Sequence, residues 1–440
     1  NLHYEKFQDG TVKCIENEIP FEVPEGWAWC RLKHVCTMAA GKAKPTDQIM
    51  TEPFEGCYPC FGGNGIRGYV DEYNQDGIFS IVGRQGALCG NINIAKGKFY
   101  ATEHAVVTTL FSGIDFNWSN YVLEALQLNS YATGAAQPGL SVANVLNVFV
   151  PVPPTQEQVH IGIRIAESIK IIENIEDEKE NLQTLISSAK SKILDLAIRG
   201  KLVSQNPNDE PASVLLERIR AEKEELIKQG KIKRDKKESI IFKGEDNSYY
   251  LKTGDITEPL EDWELDGLPD SWSFCCLGEI CDYGNCINVA TVDIDDSAWI
   301  LDLEDIEKDT GIVLQKVRKA KRNSISTKHL FHKGQVLYSK LRPYLNKVVL
   351  ADEDGYCTSE ILPLDFQENI IPQYARYYLM SPTFLQYTNK CSYGVKMPRL
   401  GTVDGKKTII TLPPLAEQKR IVKAIETIFA QLDEISNAIA

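Results

Sequence analysis

Residues 153–200 read PPTQEQVHIGIRIAESIKIIENIEDEKENLQTLISSAKSKILDLAIRG. Thr155 and Gln158 stand at capping-box spacing with Pro154 just outside, which predicts a helix start. Ile165, Ile172, Lys179, Ile186 and Ile193 fall seven apart. Ile161, Ser168, Ile175, Leu182, Ala189 and Leu196 form a second seven-residue series. Together they make an a/d seam over about five heptads, the pattern of a coiled coil. Gly200 is the expected stop. At 1.5 Å per residue such a helix spans roughly 65 Å.

The same entry motif occurs again. PPTQEQ (153–158) is echoed by PPLAEQ (413–418), followed by Ile421, Ile428 and Ile435 with Ile425, Leu432 and Ile439. Just upstream, GAAQPGL (134–140) is echoed by GVKMPRL (394–400). Near the start, Pro24 and Trp27 of VPEGWAWCRLKHV recur as Pro269 and Trp272 of LPDSWSFCCLGEI. Three motifs in the same order mark an internal duplication. Between them, residues 40–130 and 285–390 differ widely, yet both alternate short β-branched or aromatic runs with Gly, Asn and Asp turns. The expected fold is α/β, with two strand-rich domains joined by long antiparallel coiled-coil helices in an internal pseudo-twofold repeat. Such a helix pair would hold the domains a fixed distance apart. The expected boundaries are a first domain at 1–153, a first long helix at 154–200, a charged helical linker at 201–246, a second domain at 247–413 and a second helix at 414–440. Within the linker, residues 204–239 read as a turn, an amphipathic helix and a solvated basic run. Trp27, Trp29, Trp272 and Phe274 are expected in domain cores.

The 440 residues carry a formal net charge of −13 with 43% hydrophobic content, a composition fit for full cores and opposed to uniform DNA binding. Any nucleic-acid contact must therefore come from local basic segments. No run of eighteen apolar residues is present, so no membrane span is expected. The start NLHYEKFQDG lacks the basic and apolar regions of a signal peptide. The 12 cysteines include a lone Cys57–Cys60 pair and the group Cys275, Cys276, Cys281 and Cys286. Neither has a histidine or second pair at ligand spacing, so reduced thiols and no metal are expected. Catalytic patterns are missing as well. There is no Asn/Asp-Pro-Pro-aromatic methyltransferase motif, phosphate-binding P-loop, dinucleotide fingerprint, nuclease carboxylate set or nucleophile elbow. Neither chemistry nor a cofactor is expected of this chain.

PEGWAW (24–29), LDLAIRGKLV (194–203), NPNDEPASVLLERI (206–219) and LPPLAEQKRIVKAIE (412–426) resemble the specificity subunits of type I restriction-modification systems. The resemblance covers nearly the whole chain. It implies two target recognition domains, each reading one half of a split site in double-stranded DNA. It further implies two copies of an adenine-N6 methyltransferase subunit as partners, with restriction/translocase subunits in the full complex, in the bacterial cytoplasm at the nucleoid. Against the family plan the ends look trimmed. Asn1 falls inside a segment whose second-copy counterpart begins near Asp246, and Ala440 stops where the first copy has reached Glu180.

Base edges are read best by Arg or Lys on guanine and Asn or Gln on adenine. In the first domain this selects Asn64 and Arg67 in one Gly-rich loop, Arg84 and Gln85 in another, then His104 and Gln137. In the second it selects Lys340, Arg342, Tyr344 and Lys347, at the place in the order held by GRQG (83–86), and Lys396 and Arg399 beside the Gln137 counterpart. Arg318, Lys319, Lys321 and Arg322 form a basic run suited to phosphates. Two other readings compete. A coiled-coil interaction protein without DNA contact suits the acidity and the heptads, and leaves the duplicated variable domains unexplained. An acidic DNA mimic would lack these basic loops.

Overall fold

A computed structural model of the chain describes residues 3–86, 88–133, 138–231, 239–246, 248–260, 267–322, 325–366 and 369–439. The chain divides into two compact units, Asn1–Asp177 and Glu178–Ala440.

The first unit is built on a six-stranded sheet. Its order is Cys36–Ala40, Ala105–Leu110, Gln75–Gly83, Ile92–Ala101, Tyr58–Gly62 and Gly65–Val70. All neighbours are antiparallel except Tyr58–Gly62 with Ile92–Ala101. Helix α1 (Phe116–Ala125) packs Trp118 and Leu123 against Val82 and Val106. Helix α2 begins at Thr155 and runs 44 residues to Ile198, about 66 Å.

The second unit holds a five-stranded sheet ordered Ile287–Val289, Lys328–Phe331, Gly355–Thr358, Trp299–Leu301 and Val317–Arg318. It also holds a three-stranded sheet ordered Val348–Leu350, Val336–Ser339 and Ile361–Leu364. The region read as a solvated linker is only partly so. Helix α3 (Ala212–Lys228) buries Leu215, Leu216 and Ile219 in the main core of this unit, and Arg220 pairs with the buried Glu279. The apolar stripe of an amphipathic helix demands such cover. The basic run at 232–238 lies outside the described residues. Helices α4 (Pro372–Leu379) and α5 (Leu415–Ala438) also belong to the unit.

Within the second unit, the last turns of α2 lie antiparallel to α5. Lys190 pairs with Asp433, while the Thr411 hydroxyl just before α5 donates to the Ile198 carbonyl. Leu194, Ala197 and Ile198 share a core with Ile421 and Ile425. Each fully buried Leu or Ile here contributes about 1.5–3 kcal/mol. Only part of the expected seam is covered. Ile186 is buried, whereas Ile172 and Ile175 are 54% and 58% exposed. Gly200 ends the helix with φ +67°, and a Cβ there would lie 2.5 Å from the Pro269 ring. Of the four aromatic residues assigned to cores, Trp272 and Phe274 are buried, and Trp27 and Trp29 are half-buried.

The entry motif is not a capping box. The Gln158 backbone N–H donates to Pro154, and the Thr155 hydroxyl donates to Gly113. The Gln158 side chain is buried. Its Oε1 accepts from the Asp115 N–H at 2.8 Å, and its Nε2 donates to the Pro153 carbonyl at 2.9 Å. Gln418 repeats this, with Ile371 N–H at 2.9 Å and Pro413 carbonyl at 3.1 Å. Asp115 and Ile371 are the residues that cap α1 and α4. One buried amide thus satisfies a donor at the start of one helix and a carbonyl at the start of the exit helix. Replacement of Gln418 by Leu strands both groups in the core. A loss of about 2–4 kcal/mol is expected, read as a lowered Tm of the full chain.

Candidate nucleic-acid interface

In the first unit, strand Gln75–Gly83 ends in Arg84 and Gln85. The Arg84 N–H donates to the His104 carbonyl at 2.9 Å. The Leu140 N–H donates to the Arg84 carbonyl at 2.8 Å, and the Gly86 N–H to the Pro138 carbonyl at 3.1 Å. The second unit repeats every bond. Strand Val336–Ser339 ends in Lys340, whose N–H donates to the Glu360 carbonyl at 3.0 Å. The Leu400 N–H donates to the Lys340 carbonyl at 3.0 Å, and the Arg342 N–H to the Pro398 carbonyl at 2.7 Å. Each unit thus clasps a loop tip between two other segments. The correspondence runs Arg84 with Lys340, Gly86 with Arg342, His104 with Glu360, Pro138 with Pro398 and Leu140 with Leu400. The two leucines anchor the clasps at 5% and 2% exposure.

The first clasp gathers most of the residues selected for that domain. Arg84 and Gln85 are exposed and His104 is half-exposed. The turn Gly62–Gly65 lies against them. A Cβ on Gly63 would sit 3.4 Å from both the Gln85 and His104 carbonyls, and one on Gly83 would sit 2.1 Å from the Gly63 carbonyl. Only a backbone without side chains approaches this closely. The turn carries Asn64, exposed and accepting from Asn91 at 3.0 Å. Arg67, two residues past the turn, donates to the Thr46 hydroxyl at 2.9 Å. Gln137 lies outside the described residues.

The second clasp gathers Lys340, Arg342 and Arg399. Arg399 bridges to both Leu341 and Tyr393. Its guanidinium is held charged by the Glu360 carboxylate at 2.7 Å. Glu360 has no sequence signal, because the pair is 39 residues apart. Lys396 is exposed on the same turn, beside exposed Tyr393, Val395 and Met397. Tyr344, 47% exposed, follows two residues after Arg342. Lys347 turns the other way, toward the Leu303 carbonyl at 2.7 Å, and burial pushes its pKa down.

The basic run at 318–322 lies at the far edge of the five-stranded sheet, and most of its charge is answered internally. Arg318 pairs with Glu353 at 2.7 Å and Lys319 with Asp296 at 2.9 Å. Arg322, only 10% exposed at its side chain, reaches Asp302 at 2.8 Å, Glu304 at 3.2 Å and the buried Asp305 at 2.6 Å. Lys321 is exposed. Among the described residues no group of His, Cys, Asp and Glu could hold a metal ion, and no helix is long and apolar enough to cross a membrane.

The fold therefore defines a tandem protein, in which two α/β bodies each carry one loop clasp and one exit helix tied on by a buried glutamine. A family model for the type I restriction modification DNA specificity domain matches residues 24–184 and again 269–440. The chain belongs to that family. The type I restriction enzyme EcoDI specificity subunit of Escherichia coli is 21% identical over 428 residues, covering 95% of this chain and 86% of the relative. The EcoprrI specificity subunit of the same species is 46% identical over 132 residues, covering 30% of this chain and 33% of the relative. One solved chain, described under "Structural basis underlying complex assembly and conformational transition of the type I R-M system", superposes with a TM-score of 0.54 at 16% identity. The match covers 96% of this chain and 94% of that one, and supports the fold.

Placement separates structural from available cations. Arg322→Ala leaves Asp305 buried without its cation and is expected to cost about 3 kcal/mol or more. Lys321→Ala is expected to leave Tm unchanged. Equal thermal shifts in the two variants would show that the Arg322 cluster has no structural role.

Proposed function

We propose that this chain reads a bipartite site in double-stranded DNA, one half per unit, and directs adenine-N6 methylation and restriction by partner subunits. The supporting observation is the duplicated clasp, with the same backbone hydrogen bonds in both units and different side chains at the tips. A shared frame with exchanged tips is what two independent half-site readers require. Arg84, Gln85, Asn64 and His104 are the readers proposed for the first half-site, with Gln137 beside them. Lys340, Arg342, Tyr344 and Lys396 are those proposed for the second. Arg67, Arg318, Lys319 and Lys321 are assigned to phosphates, where a cation already sharing a carboxylate can still contribute. Lys347 and Arg399 are assigned to holding the second tip in place, and Arg322 to holding the segment of Asp302 and Asp305.

In this reading catalysis belongs to the partners. They are two copies of an adenine methyltransferase subunit, with restriction/translocase subunits in the complete assembly, working in the bacterial cytoplasm on nucleoid DNA. The domain plan proposed is recognition at 1–153 and 247–413, with helices at 154–200 and 414–440 and the charged segment 201–246 between them.

Methylome sequencing of cells that express the chain with its methyltransferase tests this. One split motif carrying methyladenine is the expected result. Continuous motifs, or none, would sink the proposal. Lys340→Ala is expected to relax one position of one half-site by about 1–3 kcal/mol and to leave the other half unchanged. A uniform loss over all sequences would instead mark Lys340 as a phosphate contact.

A further inference from the structure

Arg342 sits in an unfavourable conformation. Its φ and ψ are +49° and +62°, the left-handed region that side chains with a Cβ seldom occupy. It also precedes Pro343, and a residue before proline is driven toward extended backbone. Its Nε is shielded from solvent, and among the described residues no acceptor reaches it. A buried donor without an acceptor is a second cost at the same residue. The matching position in the first clasp is Gly86, with φ +94°. Glycine meets that geometry without strain. A Cβ on Gly86 would find nothing within 4 Å, so the first clasp has room for a side chain and carries none.

Strain of this kind persists where it serves a site. We infer that Arg342 is a specificity-determining residue of the second clasp, presented to the major-groove edge of a guanine, and that the first clasp makes no such contact at Gly86. The inference rests on the DNA reading proposed above. The rest of the tip is built around this role. Arg399, the other arginine of the clasp, is bound on one side by Glu360 at 2.7 Å and 3.1 Å. Arg342 has no carboxylate of this kind among the described residues. Its neighbours Tyr344, Tyr393 and Met397 are exposed at 47%, 61% and 44%, a rim suited to the apolar parts of a groove. An arginine fork matches the two acceptors of guanine, O6 and N7, in one plane. The left-handed turn holds the Arg342 backbone against the Pro398 carbonyl at 2.7 Å.

The experiment compares the native chain, Arg342→Gly and Arg342→Ala, each as the full chain purified with the methyltransferase subunit of its own system. Each selects from a duplex library with a randomised core, and the bound fraction is sequenced. The native chain is expected to enrich a split motif with a guanine at one position of one half-site. Both variants are expected to lose that preference, about tenfold or more, and to keep the other half-site. Arg342→Gly is also expected to melt roughly 2 °C above Arg342→Ala, because only glycine relieves the backbone. A variant that enriches the native motif unchanged overturns this inference and leaves the two-reader proposal standing. Loss at a base other than guanine overturns it as well. Equal melting of the Gly and Ala variants overturns the strain argument on which it stands. If the native chain enriches no motif, both the inference and the proposed function fall.

Discussion

A buried glutamine amide at the start of each exit helix is the constraint from which the rest follows. Gln158 and Gln418 are 1% and 0% exposed, and each has one oxygen and one nitrogen to satisfy away from water. Each does so with backbone groups alone, at the first residues of two separate helical elements. Burying an amide costs several kcal/mol unless it is bonded, so the geometry around it has little freedom. The helix direction relative to its own α/β body is thereby set from inside that body. The heptad pattern decides what the helix packs on further along. The glutamine decides where it begins.

The far end of α2 is secured by different means inside the second unit. Gly200 lies against Pro269 and Trp272. Gln205 and the Trp272 indole both donate to the buried Glu417, at 2.6 Å and 3.0 Å, and burial pushes that carboxyl up from its ordinary range. Arg420 reaches Asp209 at 2.6 Å. The stretch after the helix is therefore folded into the unit by charge and amide contacts. Leu215, Leu216 and Ile219 then continue it into the core. This accounts for the motif that follows Leu194, in which the glycine and the later Gln and Asp each have a distinct partner.

What could be read from the sequence was what local periodicity and motif order encode. The long helix, its glycine stop, the duplication and the alignment of GRQG (83–86) with the Lys340 loop all depend on neighbours or on repeated order. What could not be read depended on distant partners. Thr155 and Gln158 have capping-box spacing, yet the Gln158 amide finds Asp115, 43 residues away. The run at 318–322 looks like one phosphate surface. Arg322 nevertheless turns inward, because Asp302 and Asp305 are brought beside it by the fold of the five-stranded sheet. Charge counting failed in the same way. A net charge of −13 says little about the clasps, since many carboxylates are spent on internal cations such as Arg31, Lys316 and Arg322. The loops that carry Arg84 and Lys340 could be placed from motif order, whereas the internal partners of Arg322 and Lys347 could not.

The clasp itself explains how two copies of one domain can differ so much at their tips. All three bonds that close it run between backbone N–H and C=O groups. Such bonds make no demand on side chains, apart from a residue that can supply the donor. Pro138 and Pro398 serve only as acceptors, and Leu140 and Leu400 fill the core beneath. The side chains that those bonds do not involve can differ between the two tips, apart from close approaches such as Gly63 on Gly83 and pairs such as Arg399 with Glu360. Arg84 can stand opposite Lys340, Gly86 opposite Arg342 and Gly139 opposite Arg399, with the frame unaltered. Had the loops been held by side-chain pairs, each change of tip would have cost the fold about 1–3 kcal/mol. Fixing the scaffold through the main chain separates stability from recognition. The exception is Arg342, where a tip residue strains the frame that carries it.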